Sequence, residues 1–262
     1  RTASHTYAEA GTYTVTLTVT DSLGETATTW QDVTVTSLAY VASDDFNRSV
    51  VSGWGAADIG GVWTALYGAA SAGSVDGSAG KITLSPADTR FMALRDIAVK
   101  DSESSVQFSM SAAPATGASY VRVSARQNAT QKYDASVWMR NDGSVWLLAE
   151  QSGTLLTSKI LNGVTWTNGE VFNLRTRVTG SNPTTIEAKV WKEGSVEPTS
   201  WQLTTTDSTT GLQGEGYASL SLARAGSATQ PTTVSFDSFR MVNLSVSPAR
   251  HPADWDDDNL PW

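Results

Sequence analysis

Tryptophans and arginines at alternating positions of short β-type segments are the residues most able to do chemistry in this sequence. The chain has 10 tryptophans, although only 17% of its residues are charged. Aromatic rings beside planar polar groups are the side chains that hold the apolar faces and hydroxyl edges of sugar rings. The candidates on outward-facing positions are Tyr120, Arg122, Trp138, Arg140, Trp146, Arg175, Arg177 and Trp191.

These candidates alternate with aliphatic residues such as Val121, Val137 and Leu147. Successive side chains of a strand point to opposite faces, so each strand has an aliphatic face and a face that carries the candidates. If the strands are neighbours, the candidates form one outer stripe that binds a glycan. Two alternatives stay open, because arginine stacked on tryptophan is ordinary sheet-surface packing, and the stripe could be buried against another module or chain.

Composition excludes several other kinds of site. Cysteine is absent, which excludes disulfides, thiol catalysis and cysteine–zinc sites. The histidines are His5 and His251, so a histidine-rich metal centre and a Ser-His-Asp triad within the main domain are excluded. The formal net charge of −8 argues against nucleic acid as a partner. No apolar run approaches the roughly 18 residues of a membrane span, so no membrane insertion is expected.

Isolated carboxylates argue against an enzyme. Hydrolysis of a glycoside requires two carboxylates on either side of the scissile bond. The glutamates between the histidines do not cluster within any single predicted strand, for example Glu103, Glu150, Glu187 and Glu215. The sequence therefore predicts that the protein is not an enzyme and leaves glycoside hydrolysis as the less favoured alternative.

The elements that position these residues are predicted to be strands throughout. Thr12 to Val19 alternates threonine with apolar residues, which is typical of a half-buried strand, and Thr26 to Val35 is predicted as its partner. Many short extended segments follow, and Asn141-Asp142-Gly143-Ser144 is the clearest hairpin turn among them. The threonine run Thr204–Thr206 is predicted to lie in an exposed loop. Many short strands without helices indicate an all-β sandwich, jelly roll or barrel.

The first segment of the chain resembles a known family. His5-Thr6-Tyr7, Ala10-Gly11-Thr12-Tyr13-Thr14-Val15, and Val33-Thr34-Val35 resemble the C-terminal half of a PKD domain, a small immunoglobulin-like β-sandwich. The resemblance implies that residues 1–37 are the partial sandwich of a PKD domain. Two strands do not close a core, so we expect a segment of a longer protein, with the missing strands on that chain or supplied by another chain.

A second resemblance covers most of the remaining chain. Asp44-Asp45-Phe46-Asn47-Arg48, Gly60-Gly61-Val62-Trp63 and Val234-Ser235-Phe236-Asp237-Ser238-Phe239 resemble a concanavalin-like lectin/glucanase jelly-roll domain. Such domains occur in actinobacterial extracellular proteins and in tail proteins of their phages. The resemblance implies an antiparallel jelly-roll sandwich over residues 38–246, followed by an acidic tail with proline and tryptophan over residues 247–262. The carboxylate spacing of the glucanases of this fold is missing from the strands.

The second resemblance also implies a structural Ca²⁺ site. In domains of this type a calcium ion often links the first segment to the last strand. Asp44, Asp45 and Asp237 are the residues that would hold it, since calcium prefers oxygen ligands.

Together these features predict a non-catalytic module for carbohydrate recognition or cell adhesion. The expected partner is a cell-surface or plant-type polysaccharide. The expected location is extracellular or on a virion surface, as in a phage tail receptor-binding protein. The alternative is a purely structural β-sandwich without soluble ligand, which associates with itself or with a neighbouring module.

Overall fold

The protein is described from a computed structural model, which describes residues 5, 7, 11–35, 39–85, 87–112, 116–224 and 231–245. The predicted acidic tail, residues 247–262, lies outside the described residues. The chain divides into two compact units, and the larger of them is Tyr40–Ser245. The described part of the chain contains no helix that is long and apolar enough to cross a membrane.

A two-stranded hairpin forms the described part of the smaller unit. Strands β1 (Gly11–Thr20) and β2 (Thr26–Val35) pair in antiparallel register from Gly11 opposite Val35 to Thr20 opposite Thr26. The turn is closed by the Asp21 carboxylate, whose Oδ1 accepts hydrogen bonds from the backbone N–H groups of Leu23 at 2.8 Å and Glu25 at 2.9 Å. Both strands that the sequence pattern predicts here are confirmed, but Leu17 and Val19 of β1 are 59% and 57% exposed, so the first strand is not half-buried as predicted.

The larger unit is built almost wholly from strands. In chain order they are β3 (Tyr40–Asp44), β4 (Ser49–Val50), β5 (Trp63–Leu66), β6 (Gly73–Asp76), β7 (Gly80–Leu84), β8 (Thr89–Val99), β9 (Ser102–Met110), β10 (Ala118–Gln127), β11 (Tyr133–Arg140), β12 (Ser144–Gln151), β13 (Thr154–Thr165), β14 (Val171–Thr179), β15 (Thr184–Lys192), β16 (Leu203–Asp207), β17 (Gly216–Arg224) and β18 (Thr232–Asn243). Short 3₁₀ turns occur at Ala70–Ala72 and Thr210–Leu212.

These strands form two antiparallel sheets. The seven-stranded sheet has the order β13-β12-β11-β10-β17-β8-β5, and the nine-stranded sheet has the order β16-β15-β14-β9-β18-β7-β6-β4, with β3 also paired to β18. Apolar side chains from one face of each sheet form a single buried cluster, to which the first sheet contributes Val121, Val137 and Leu147. Because the predicted aliphatic faces are the faces that pack together, the predicted all-β sandwich is confirmed.

One prediction for this region is wrong. The run Thr204–Thr206 lies in strand β16 and is not an exposed loop. Leu203, at the start of the strand, is 5% exposed and pairs with Ala188 of β15. The threonines alternate between half-buried and exposed positions on an edge strand. A polar edge strand has a composition similar to that of an exposed loop, so the sequence alone does not distinguish the two.

A buried carboxylate anchors the first segment of the larger unit. The side chain of Asp44 is 0% exposed and forms a bidentate ion pair with Arg48, with both N–O distances at 2.7 Å. The indole N–H of Trp63 also donates to Asp44 at 2.7 Å, and the backbone N–H of Phe46 donates at 2.8 Å. Since β3 pairs with β18 while Trp63 belongs to β5, this carboxylate links the two sheets.

Removal of this anchor is expected to destabilise the larger unit. Asp44→Ala leaves the Arg48 guanidinium and the Trp63 indole without their acceptor, so the free energy of unfolding should fall by about 3 kcal/mol. Urea unfolding followed by tryptophan fluorescence measures the change. Asp45→Ala is the matched control, because Asp45 pairs with Arg240 at a partly exposed site, and its loss should cost less than about 1 kcal/mol. Equal effects of the two substitutions would contradict the role of Asp44.

Candidate functional site

Three aromatic side chains stand side by side on the outer face of the seven-stranded sheet. Tyr120 on β10 pairs with Trp138 on β11, which pairs in turn with Trp146 on β12. The ring centroids of Tyr120 and Trp138 are 5.4 Å apart and the rings are nearly parallel, and those of Trp138 and Trp146 are 5.9 Å apart. We call these three residues the aromatic ladder. The sequence pattern predicted that they would share a face, and they do.

Two of the three ladder rings have a guanidinium group over them. The guanidinium of Arg122 lies 4.9 Å from the ring centre of Tyr120, and that of Arg140 lies 4.6 Å from the ring centre of Trp138. Burial raises the pKa of the Tyr120 hydroxyl, and the charge of Arg122 opposes this effect. Stacked rings with cations above them are a stable packing arrangement. The ladder therefore holds Arg122 in place through Tyr120, in addition to presenting aromatic rings on the sheet surface.

Two carboxylates lie opposite each other beyond the ladder. Asp134 on β11 and Glu150 on β12 are paired residues, 1% and 7% exposed respectively. Directly opposite residues have Cβ atoms about 4.5–5.5 Å apart. Glu150 accepts a hydrogen bond from the Nε of Arg122 at 3.2 Å and one from the hydroxyl of Ser136. These two carboxylates therefore belong to one site, although they are 16 positions apart in the sequence.

Asp134 has partners of its own. Its Oδ1 accepts a hydrogen bond from the Ser124 hydroxyl at 2.6 Å, and its Oδ2 pairs with the ammonium of Lys132. Lys132 also lies 4.6 Å from the ring centre of Phe91 on β8. The paired carboxylates are thus each held by one cation and one hydroxyl.

A cleft of about 540 Å³ opens beside these groups. Its lining includes Tyr67, Phe91, Arg122, Gln127, Lys132 and Asp134. Tyr67 follows β5, is 64% exposed, and makes an edge-on contact with Phe91 at a centroid distance of 5.6 Å. An exposed aromatic ring beside several charged and amide groups has the composition of a sugar-binding site.

Sequence reasoning missed most of this cleft. Of the predicted site residues only Arg122 lines it. Phe91 lies in the apolar run Phe91-Met92-Ala93-Leu94, in which no alternation marks the outward residue. Tyr67 lies outside the strands, where periodicity gives no signal. The cleft is formed by residues from separate strands and loops, which only the folded sheet brings together.

The predicted single stripe is wrong in one respect. Arg175 and Arg177 lie on β14 and Trp191 lies on β15, which belong to the nine-stranded sheet. These residues do face away from the core, but on the side of the sandwich opposite the aromatic ladder. Alternation determines which face of a strand is polar and does not determine which sheet the strand joins. The ligand-binding role of either group stays a prediction.

The residues of the predicted calcium site have other partners. The oxygens of Asp44 accept four hydrogen bonds, from Arg48, Trp63 and Phe46. Asp45 pairs with Arg240 at 2.6 Å. Burial raises the pKa of Asp237, and the charge of nearby Asp45 adds to this shift. Among the described residues no group of three or more histidine, cysteine or acidic side chains could hold a metal ion.

Calcium takes about six to eight oxygen ligands, which include backbone carbonyls and water, so the calcium site stays a prediction. Arg48 pairs with Asp44 and Arg240 pairs with Asp45, so both carboxylates already have a cationic partner. This arrangement does not need an ion to neutralise Asp44 or Asp45.

Comparison with known proteins identifies similar folds. A family model described as a PKD domain matches residues 1–36. No curated protein matches this sequence. A β-glucanase of Bacillus licheniformis is similar in structure, with a TM-score of 0.51 and 11% identity over 77% of this chain and 97% of that chain.

Two further solved structures match at a comparable level. SCLam, a non-specific endo-β-1,3(4)-glucanase from family GH16, has a TM-score of 0.54 and 12% identity over 78% of this chain and 90% of that chain. A structure from work on endo-acting O-glycanases of the human gut microbiota has a TM-score of 0.52 and 10% identity over 79% of this chain and 100% of that chain. The larger unit is a concanavalin-like jelly roll, and its neighbours include proteins that act on carbohydrates.

These matches correct the prediction that the protein is not an enzyme. The domain has the fold of two glucanases. The sequence argument also assumed that every carboxylate is isolated, whereas Asp134 and Glu150 lie opposite each other on neighbouring strands. The sequence alone shows two carboxylates only when they lie within one strand. It does not show which residues of β11 and β12 lie opposite each other.

Calcium removal is expected to leave the stability of the domain unchanged. Because Arg48 and Arg240 already neutralise Asp44 and Asp45, EDTA should not lower the melting temperature and millimolar Ca²⁺ should not raise it. Differential scanning calorimetry in both conditions measures this. A melting temperature that falls in EDTA and is restored by Ca²⁺ would show that the predicted calcium site exists.

Proposed function

We propose that the cleft on the seven-stranded sheet binds a polysaccharide, with the exposed ring of Tyr67 as the stacking platform. The observation that carries this proposal is the position of Tyr67, which is 64% exposed at the rim of a cleft lined by Arg122, Lys132 and Asp134. An aromatic ring contacts the apolar face of a sugar, and charged groups beside it donate hydrogen bonds to the sugar hydroxyls or accept hydrogen bonds from them.

The groups of the cleft are preorganised for such a ligand. Arg122 is held by Glu150 and by the ring of Tyr120, and Lys132 is held by Asp134. Side chains fixed before binding lose less conformational entropy when the ligand arrives. Since each cation is already neutralised by a carboxylate, the cleft suits a neutral chain better than an acidic one.

The proposed ligand is a cell-surface or plant-type polysaccharide, and β-glucans are the first substrates to test. The glucanases named above support this choice through their fold. We also propose an extracellular or virion-surface setting and an adhesive role, which the PKD match at residues 1–36 supports.

Tyr67→Ala is expected to weaken glycan binding at least tenfold without lowering the melting temperature, because the exposed ring contributes little to the core. Affinity electrophoresis and calorimetry with laminarin, mixed-linkage β-glucan and mannan measure binding. Trp146→Ala is the matched comparison, since it removes an aromatic side chain of the ladder away from the cleft. Loss of binding with Trp146→Ala alone would instead support the ladder as the site. No binding to a broad glycan array by the unaltered protein would favour the purely structural alternative.

A second candidate function is hydrolysis of the bound chain. The observation that favours it is the paired position of Asp134 and Glu150, because retaining glycosidases place two carboxyl groups about 5–5.5 Å apart. One of the two would have to carry a proton for the leaving group. Lys132 or Arg122 would therefore have to release its carboxylate when substrate enters the cleft.

Hydrolysis can be tested separately from binding. If the pair is catalytic, the protein should release reducing ends from a β-glucan, and Glu150→Gln and Asp134→Asn should each lower that rate at least 100-fold. Both substitutions keep the shape of the side chain, so binding to the polysaccharide should persist. Binding without any product release, over hours at high protein concentration, would reject the catalytic role and retain the binding role.

A further inference from the structure

We propose a second glycan-binding site on the opposite side of the sandwich, centred on Trp191 and specific for a neutral, hydroxyl-rich chain. It lies on the outer face of the nine-stranded sheet and does not rest on the function proposed for the cleft. A shallow pocket of about 230 Å³ is present there, with Gln107, Asn173, Arg175, Trp191, Ser238 and Arg240 in its lining.

Strand register builds this site from three adjacent strands. Gln107 on β9 pairs with Asn173 on β14, and Asn173 pairs with Trp191 on β15. Neighbouring strands are about 4.8 Å apart, so this row extends about 10 Å across the sheet. Two planar amides and one indole ring in a straight row form an extended surface of the kind that a sugar chain can follow.

The two amides are oriented by one carboxylate. Glu193 Oε2 accepts a hydrogen bond from Gln107 Nε2 at 3.0 Å and one from Asn173 Nδ2 at 2.7 Å. In both amides the nitrogen faces the Glu193 carboxylate, so the amide oxygen points away from that carboxylate. Within the described part of the chain neither oxygen has a donor. Both oxygens are therefore available to accept hydrogen bonds from ligand hydroxyls.

Trp191 is half-buried, and it differs from Trp138 and Trp201 in that no cation of the described residues lies over its ring. Among the described residues no aromatic ring or cation stacks on it, whereas Trp201 on the same side has Arg177 at 4.9 Å and Lys189 at 5.0 Å from its ring centre. The exposed part of its ring therefore has no competing cation or aromatic partner there. Trp201 thus provides an internal control on the same face of the domain.

The charges around the pocket favour a neutral ligand. Arg175 pairs with Glu197 at 2.9 Å, and Arg240 pairs with Asp45 at 2.6 Å. Arg175 also has a second carboxylate partner, because its Nε lies 3.8 Å from Glu103 Oε1. Because the described cations of the pocket already have carboxylate partners, an anionic ligand would have to displace a carboxylate, while a hydroxyl oxygen would not.

The experiment measures the binding of neutral polysaccharides to the whole chain, both for the unaltered protein and for the Tyr67→Ala variant, in which the cleft lacks its exposed ring. In a Tyr67→Ala background, Trp191→Ala should lower the remaining affinity at least tenfold, and Gln107→Ala with Asn173→Ala should do the same. Trp201→Ala is expected to leave that affinity unchanged. Melting temperatures of all variants check that each of them is folded.

The outcomes separate the two sites. Loss of binding with Trp191→Ala but not with Tyr67→Ala would reject the cleft and retain the second site. Identical binding by Trp191→Ala and Trp201→Ala would overturn the second site. A site that captures only sulfated or uronic-acid chains, and loses them in high salt, would also overturn it, since the proposal requires a neutral ligand.

Discussion

The whole larger unit depends on one constraint, which is that each sheet buries only one of its faces. Side chains of a strand alternate between the two faces, and the apolar halves of both sheets join in a single core. The outer faces of the two sheets do not pack against this core. Arg122, Arg175 and Trp138 are among the polar and aromatic side chains on those outer faces.

Charge on these outer faces is almost wholly paired. Arg122 with Glu150, Lys132 with Asp134, and Arg175 with Glu197 each combine a cation with a carboxylate. Such pairs add little stability where water reaches them, but they hold long side chains in defined positions. The buried Asp44 is likewise paired with a cation, the guanidinium of Arg48. Because of this pairing, the cations of the outer faces do not form a free basic surface.

Much of the fold could be predicted from the residues, and the candidate site could be predicted only in part. The ladder residues Tyr120, Trp138 and Trp146 were expected on one face because alternation is a local property of each strand. Tyr67 and Phe91 were missed, since one lies outside the strands and the other lies in a continuous apolar run. The exclusion of an enzyme failed for a related reason, because the pairing of Asp134 with Glu150 depends on the register between β11 and β12.

By itself the sequence determined that the chain is all-β, where most strands run, and which face of each strand is polar, because these properties follow from local periodicity. Only the tertiary structure decided that Arg175, Arg177 and Trp191 lie on a different sheet from the ladder. It also decided that a cleft forms beside Arg122. Both depend on which strands become neighbours, and strand pairing is set by the burial of the whole core, which no single segment of sequence encodes.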